Sequence, residues 1–243
     1  GEKNVLFTNN DSAYETAISL YQKGINIEAI IDNREEIDSK LIKETEKNNI
    51  KVYKGYTVVN TSGYKRINKV SIMQLSKDGQ KVIGPKISIS CDCLGVSGGW
   101  TPAVHLFTQS GGKLKFRDED QVFIPNKYPS DQISIGSCNG EFTLDEILST
   151  IPKTLKEFLD LKKTDYENLE VQSSFNKSKR NIWLLPSDKV IGKTKSFVDY
   201  QNDATAKDIK LALREGFRSI EHVKRYTTTG MGTDQGKLGN MHA

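Results

Sequence analysis

Apolar residues in the first hundred positions come in short runs separated by polar stretches of helical period. Residues 4–8 form one apolar run and residues 25–31 a second. Between them, Ala13, Ala17, Ile18, Leu20 and Tyr21 fall on one face of a helix over 12–23 that Gly24 ends. Strand, helix, strand in that order implies a parallel pair joined by a right-handed crossover. Residues 36–49 predict a polar helix and 50–59 a third strand. Over 65–90 the pattern alternates, with Val70, Ile72 and Leu75, a turn at Asp78-Gly79, then Val82, Ile87 and Ile89, which predicts an antiparallel hairpin. Residues 91–96 predict a buried strand that closes this first lobe.

Beyond it, Gly98-Gly99-Trp100-Thr101-Pro102 marks a crossing into another lobe. Residues 121–124 and 132–136 predict strands, and 144–161 a helix in which Pro152 is tolerated only at a start or a break. Residues 162–180 are highly polar and predict a linker or surface excursion. Thr205 with Asp208 forms a capping pattern, Ile209, Ala212 and Leu213 mark a buried face, and Gly216 suits a left-handed cap. Ser219 opens a second short helix. After Tyr226 comes Thr227-Thr228-Thr229-Gly230-Met231-Gly232-Thr233-Asp234-Gln235-Gly236-Lys237, whose glycines and hydroxyls bring backbone N–H groups and one cation toward an anionic ligand. A polar surface turn has the same composition.

Composition changes this picture little. The 243 residues suffice for one large domain or two small ones with ample core, and the net charge of +4 comes from dispersed lysines, which suit a solvated face better than a nucleic-acid stripe. Three cysteines are too few for a disulfide framework and point to a reducing compartment. No apolar run approaches the roughly 20 residues that span a bilayer, and no signal peptide is visible, so the expected location is the cytoplasm, without membrane or nucleic acid as partner. The start at Gly1-Glu2-Lys3-Asn4, directly into a strand, predicts a piece cut from a longer chain.

Candidate chemistry is sparse. A dinucleotide fold normally turns from its first strand through G-x-G-x-x-G, whereas this chain has Thr8-Asn9-Asn10-Asp11-Ser12. Asp11 places a carboxylate where phosphates would sit and predicts a side-chain cap on the helix. Asp32, ending the second strand, has the spacing that reads a ribose hydroxyl, as would any strand-end turn aspartate by chance. Cys91-Asp92-Cys93 puts two thiols on one strand face, too few ligands for zinc or an iron–sulfur cluster. No histidine among His105, His222 and His242 has the spacing of a nucleophile triad, and His105 is expected to pack under Trp100 and Phe107. Neither catalytic residues nor metal ligands are therefore assigned.

Residues 197–240 resemble, nearly without gaps, the small domain of the alpha subunit of heterotetrameric sarcosine oxidase. The stretches Val5-Leu6-Phe7-Thr8-Asn9-Asn10-Asp11-Ser12-Ala13-Tyr14 and 93–112, with Gly98-Gly99-Trp100-Thr101-Pro102 at its centre, are similar to the same subunit, so the resemblance covers essentially the whole chain as an internal fragment. It implies an α/β fold of nested, incomplete nucleotide-binding lobes like those of pyridine-nucleotide-disulfide oxidoreductases, with a small C-terminal helical domain. The domains expected are an inner lobe over 1–97, the returning part of an outer lobe over 98–161, a linker over 162–195 and the helical domain over 196–243. The outer lobe's glycine-rich first turn is expected upstream of Gly1.

Ser134-Ile135-Gly136-Ser137-Cys138-Asn139-Gly140 stands where the wider flavoprotein family has Gly-Asp on a flavin ribityl chain, and Ser137 replaces the acid, which suits NAD. Gly98, Gly99, Trp100, Gly136, Ser137, Asn139 and Gly140 are the residues expected against that NAD; a turn needing glycine for sterics alone is the alternative. Arg225, Thr227, Thr228 and Lys237, with Lys224 and Tyr226 nearby, are expected to line the site of an FMN shared with the beta subunit, although a salt-bridged helix end would look the same. FAD is implied on the beta subunit, and tetrahydrofolate on a C-terminal domain that is absent here. Beta, gamma and delta subunits are the implied partners. The implied reaction is oxidative demethylation of sarcosine to glycine, giving hydrogen peroxide and formaldehyde or methylene-tetrahydrofolate. No residue here performs the hydride transfer, and the fragment alone is expected to be inactive.

Two rivals stay open. Alpha-type subunits of amine, opine or proline dehydrogenases share the scaffold, but the related iron–sulfur module carries Cys-x-Cys where this chain has Asp199-Tyr200-Gln201. A non-catalytic DNA-binding helix-turn-helix would need base-reading side chains and a basic flank on residues 219–226, where Glu221 stands.

Overall fold

A computed structural model describes residues 2–37, 39–129, 131–159, 171, 181–189 and 193–243. The expected linker over 162–180 lies almost wholly outside them. The chain divides into two compact units, one of Gly1–Tyr56, Ser62–Lys69 and Ser90–Asn181, the other of Thr57–Thr61, Val70–Ile89 and Ile182–Ala243.

The first unit is built on β1 (Asn4–Thr8), α1 (Ser12–Gln22), β2 (Ile27–Asp32), α2 (Ser39–Lys47) and β3 (Lys51–Lys54). The next strands are β4 (Tyr56–Gly63), β5 (Ile67–Leu75), β6 (Val82–Ser90) and β7 (Cys93–Ser97). Parallel pairing of β1 with β2, β2 with β3 and β1 with β7 gives a sheet of order β3-β2-β1-β7. Ala29, Ile30, Ile31 and Asp32 are all at most 1% exposed, as an inner parallel strand covered on both faces requires. Tyr14 and Ala17 of α1 and Leu41 and Ile42 of α2 join Ile27, Ile30 and Ile50 in one buried cluster. Gly24, at φ +80°, ends α1, its N–H bonding the Tyr21 carbonyl while the Ile25 N–H reaches Leu20.

Several elements depart from expectation. The third strand is not continuous over 50–59. Gly55, at φ +70°, turns the chain out of the parallel sheet and bonds its N–H to the Arg34 carbonyl at 2.8 Å, so β4 enters a separate sheet of order β4-β5-β6. The hairpin between β5 and β6 has its expected turn, with the Gly79 N–H on the Ser76 carbonyl at 2.8 Å. β7 is the sheet edge and not a buried strand, leaving Val96 68% exposed.

After β7 come α3 (His105–Gln109), β8 (Lys113–Arg117) and β9 (Val122–Lys127), the last two an antiparallel hairpin with Phe116 opposite Phe123. Residues 132–135 form no strand, because among the described residues no ladder partner lies beside them, and one 3-10 turn follows over Gly136–Asn139. α4 (Leu144–Phe158) runs through Pro152 without a break. The proline removes one N–H from the ladder, while the Ser149 and Thr150 hydroxyls both donate to the Glu146 carbonyl at 2.9 Å in the turn before it.

In the second unit, β10 (Phe197–Asp199) pairs antiparallel with β11 (Ala204–Thr205), followed by α5 (Ala206–Arg214), α6 (Ile220–Thr227) and α7 (Gly239–His242). Asp208 accepts from the Thr205 N–H at 2.8 Å and hydroxyl at 2.7 Å, which realises the expected N-terminal signature of α5. Ala212 is buried, Ile209 half-buried and Leu213 44% exposed, so the buried face is narrower than its spacing suggested. Among the described residues no helix is long and apolar enough to cross a membrane.

Ile30→Ala empties a fully enclosed site and is expected to lower stability by about 2–5 kcal/mol. Ile83→Ala, at a side chain 45% exposed, should stay within about 0.5 kcal/mol. Urea denaturation of the two variants against the parent checks the contrast.

Candidate functional site

The strand order places a crevice at the C-terminal ends of β1, β2 and β7, where the chain leaves β1 in one direction and later returns on its other side. Such a switch point is where α/β sheets take ligands. Here the crevice holds side chains of the protein itself. Arg34, its side chain 7% exposed, sets Nη1 2.8 Å from Asp11 Oδ1 and Nη2 2.8 Å from Asp32 Oδ2, while its Nε donates to Asp32 Oδ1 at 3.1 Å. The Arg34 backbone N–H reaches the same Asp32 oxygen at 2.9 Å, and the Tyr14 hydroxyl donates to Asp32 Oδ2 at 3.0 Å. Toward β7, Asn10 Nδ2 donates to the Ser97 carbonyl at 3.1 Å and hydroxyl at 2.9 Å, and Asn9 Nδ2 to the Gly98 carbonyl at 3.0 Å.

Burial by itself would lower the guanidinium pKa of Arg34, but the hydrogen bonds and charge of Asp32, then of Asp11, outweigh it and raise it. Burial, with the charge and hydrogen bond of Asp32, pushes the Tyr14 phenol upward and keeps it a proton donor. Asp11 does not cap α1: it sits in the right-handed helical region and makes no side-chain cap bond, because its carboxylate is turned to Arg34. Asp32 stands at the strand end as expected, with its carboxylate engaged by Arg34 and Tyr14 and not open to a ribose. The crevice residues do not fit a dinucleotide.

The turn expected against NAD has a different character. The Gly136 N–H donates to Glu141 Oε2 at 3.0 Å, Asn139 Nδ2 to Glu141 Oε1 at 3.3 Å, and the Thr150 hydroxyl to Glu141 Oε2 at 2.9 Å. Three donors converge on the one carboxylate of Glu141, which ties the turn to the first turns of the following helix. Arg117 closes the far side, donating from Nη2 to the Gly140 carbonyl at 2.9 Å and pairing with Asp120, whose hydrogen bond and charge raise the Arg117 pKa against burial. Ser137 is exposed. Gly98 and Gly99 follow β7, and Trp100, 61% exposed, brings Nε1 to 3.3 Å from the Ser12 hydroxyl oxygen. His105 is exposed and does not pack under Trp100, whereas Phe107 stacks edge-on with Tyr128 at 4.9 Å between ring centres. Cys91 is buried and precedes β7 while Cys93 is exposed on it, so the two thiols do not share a face. Among the described residues no group of three or more His, Cys, Asp or Glu could hold a metal ion.

In the second unit, a buried carboxylate organises the loop after α6. Asp199 accepts from the Gly230 N–H at 2.7 Å, the Gln201 N–H at 2.8 Å and the Asn202 N–H at 3.2 Å. Gln201 Oε1 accepts from the Thr233 hydroxyl at 2.9 Å, and Asn202 Nδ2 donates to the Thr228 carbonyl at 3.1 Å. A Cβ on Gly232 would stand 2.9 Å from the Cβ of Gln201, so a side chain there would push the loop away. Thr227 is buried, its hydroxyl bonded to the Val223 carbonyl at 2.8 Å and to Thr229 at 2.8 Å. Thr228, at φ +60°, ends α6, and the side chains of Arg225 and Lys237 are exposed. Arg34, Glu141 and the anchoring role of Asp199 were missed in the sequence; Asp-x-Arg at a strand end was the available signal for the first.

A family model described as the sarcosine oxidase A3 domain matches residues 193–243. The sarcosine oxidase alpha subunit of Corynebacterium sp. (strain P-1) is 31% identical over 254 residues, covering 100% of this chain and 25% of that protein. The alpha subunit of Rhizobium meliloti (strain 1021) is likewise 31% identical over 254 residues, covering 100% and 23%. The chain thus spans about a quarter of the length of the curated relatives it matches. Among solved structures, L-proline dehydrogenase from P. horikoshii superposes with a TM-score of 0.53 at 18% identity, covering 100% of this chain and 43% of that one, a likeness of fold.

Arg34→Ala leaves two buried carboxylates without their cation and is expected to cost about 3–5 kcal/mol, read as a lower urea midpoint at unchanged slope. The Gly230 N–H, then those of Asn202 and Gln201, hold the Asp199 carboxyl below its usual range against its desolvation. The folded value therefore lies below the unfolded value of about 3.9, and the stabilisation is present above that pH and is lost as pH falls through the folded value. The protection of amides over 228–239, exchange rates divided by their intrinsic rates at each pH, should fall in the parent on acidification below about pH 4 and change less in Asp199→Asn.

Proposed function

Given a chain related over its whole length to about a quarter of the sarcosine oxidase alpha subunit, we propose that it is a non-catalytic part of a multi-subunit sarcosine oxidase. Its C-terminal module faces a flavin-bearing partner subunit, and its Gly136 turn holds NAD. The observation that carries the reading is the module itself. Residues 193–243 match the A3 domain; Arg225 in the last turn of α6 and Lys237 in the loop over 228–239 are both exposed, with a run of threonines and glycines between them in the sequence. An exposed cation near a glycine- and hydroxyl-rich loop suits a flavin phosphate. At the other turn, Gly136, Ser137, Asn139 and Gly140 would hold the nucleotide, with Gly98, Gly99 and Trp100 following β7.

The chemistry, oxidation of the N-methyl group of sarcosine, belongs to flavins on the beta subunit, with gamma and delta subunits completing the assembly and tetrahydrofolate taking the one-carbon unit elsewhere on the full alpha polypeptide. The residues of this chain bind, orient and hold subunits together.

Co-expression of the full-length protein with its neighbouring beta-type partner should give a flavin-bearing complex that consumes oxygen with sarcosine and not with proline or opines. Arg225→Ala and Lys237→Ala should each weaken flavin retention roughly tenfold, the value of one charge-assisted contact, without unfolding the module. A flavin-free complex, or oxidation of proline in place of sarcosine, would sink the reading.

A further inference from the structure

We propose that the crevice at the C-terminal ends of β1, β2 and β7 is a nucleotide site closed by its own side chains, so that this lobe binds neither NAD nor NADP and acts as a scaffold. A dinucleotide makes three demands there: close backbone approach at the first turn, a free carboxylate at the end of the second strand for a ribose diol, or a free arginine nearby for a 2′-phosphate. Each demand meets a side chain already in use. The first turn carries Asn9, Asn10 and Asp11 in place of glycines, and both asparagines bridge to Ser97 and Gly98 at the end of β7. The carboxylate of Asp32 is engaged by Arg34 on both oxygens and by Tyr14.

Arg34 has the placement of a 2′-phosphate reader, two residues past the strand-ending aspartate. Its side chain is nonetheless 7% exposed and divided between Asp11 and Asp32, which are 3% and 0% exposed. A phosphate could take the guanidinium only by leaving both carboxylates buried without their cation, and it would then face them as a like charge. A pyrophosphate at the turn would meet Asp11 directly. Closure of the crevice therefore excludes the phosphorylated and unphosphorylated nucleotides alike.

Hydrogen exchange by mass spectrometry on the intact protein, with oxidised and reduced NAD and NADP each in large excess, tests this. Amides of residues 5–14 and 27–36 should exchange at the same rate with and without each nucleotide. Saturable slowing there, which would reach about hundredfold for ligand at 100 times its Kd, overturns the closure. Slowing confined to residues 134–141 supports both the closure and the NAD assignment under the proposed function. If no segment slows, the closure stands and the NAD assignment falls.

Discussion

The buried guanidinium of Arg34 is the constraint on which the first unit depends. Its side chain ties the β1–α1 turn, through Asp11, to the end of β2, through Asp32. Its carbonyl accepts the Gly55 N–H, the bond at which the chain leaves the parallel sheet for β4. Taking such charges out of water costs several kcal/mol per ion and is offset only when every partner is in place. The completeness of the pairing, with Tyr14 and the Arg34 backbone N–H also on Asp32, is what makes the arrangement tenable. It also explains how a nucleotide-type fold stands with an asparagine-rich first turn: the interactions a ligand's charges would have made are made internally.

The same device recurs with the sign reversed. Glu141 draws the Gly136 N–H, Asn139 and Thr150 around one carboxylate, and Asp199 draws two backbone N–H groups of the β10–β11 turn and one from the loop after α6. Loops rich in glycine lose much conformational entropy on ordering. A buried acceptor that satisfies several donors at once counters that loss over few residues, and it explains why Gly232 and Gly239 must lie close to Gln201 and Asp199.

Much of the fold was legible because it rests on local periodicity: β1, α1, β2, the β5–β6 hairpin and the capping of α5 follow from spacing and turn residues. The misplaced elements depend on distant partners. Residues 50–59 read as one strand, since nothing local says that the Gly55 N–H will find the Arg34 carbonyl. Residues 132–136 alternate like a strand but have no ladder beside them, and β7 reads as buried because its apolar pattern does not tell an edge from a centre. At the site, Asp11, Asp32 and Asp199 were visible as residues and their partners were not, because a carboxylate's choice between solvent, a helix end and a guanidinium is made by tertiary packing.

A charged side chain turned inward is withdrawn from recognition, so the distribution of spent and unspent groups says where this chain can act. In the first unit Asp11, Asp32 and Arg34 are spent, and Glu141 fills its own cradle; in the second, Asp199 and Asp208 are spent. Among the residues expected at a ligand, Ser137 and Trp100 on the one unit and Arg225 and Lys237 on the other are exposed. A catalytic pocket needs converging polar groups inside a cavity, with their protonation tuned by burial. Here the buried carboxylates of Asp11, Asp32 and Asp199 are each met by groups of the chain itself. This arrangement is compatible with the proposed role, in which ligands and subunits bring the reacting groups to the surface of the chain.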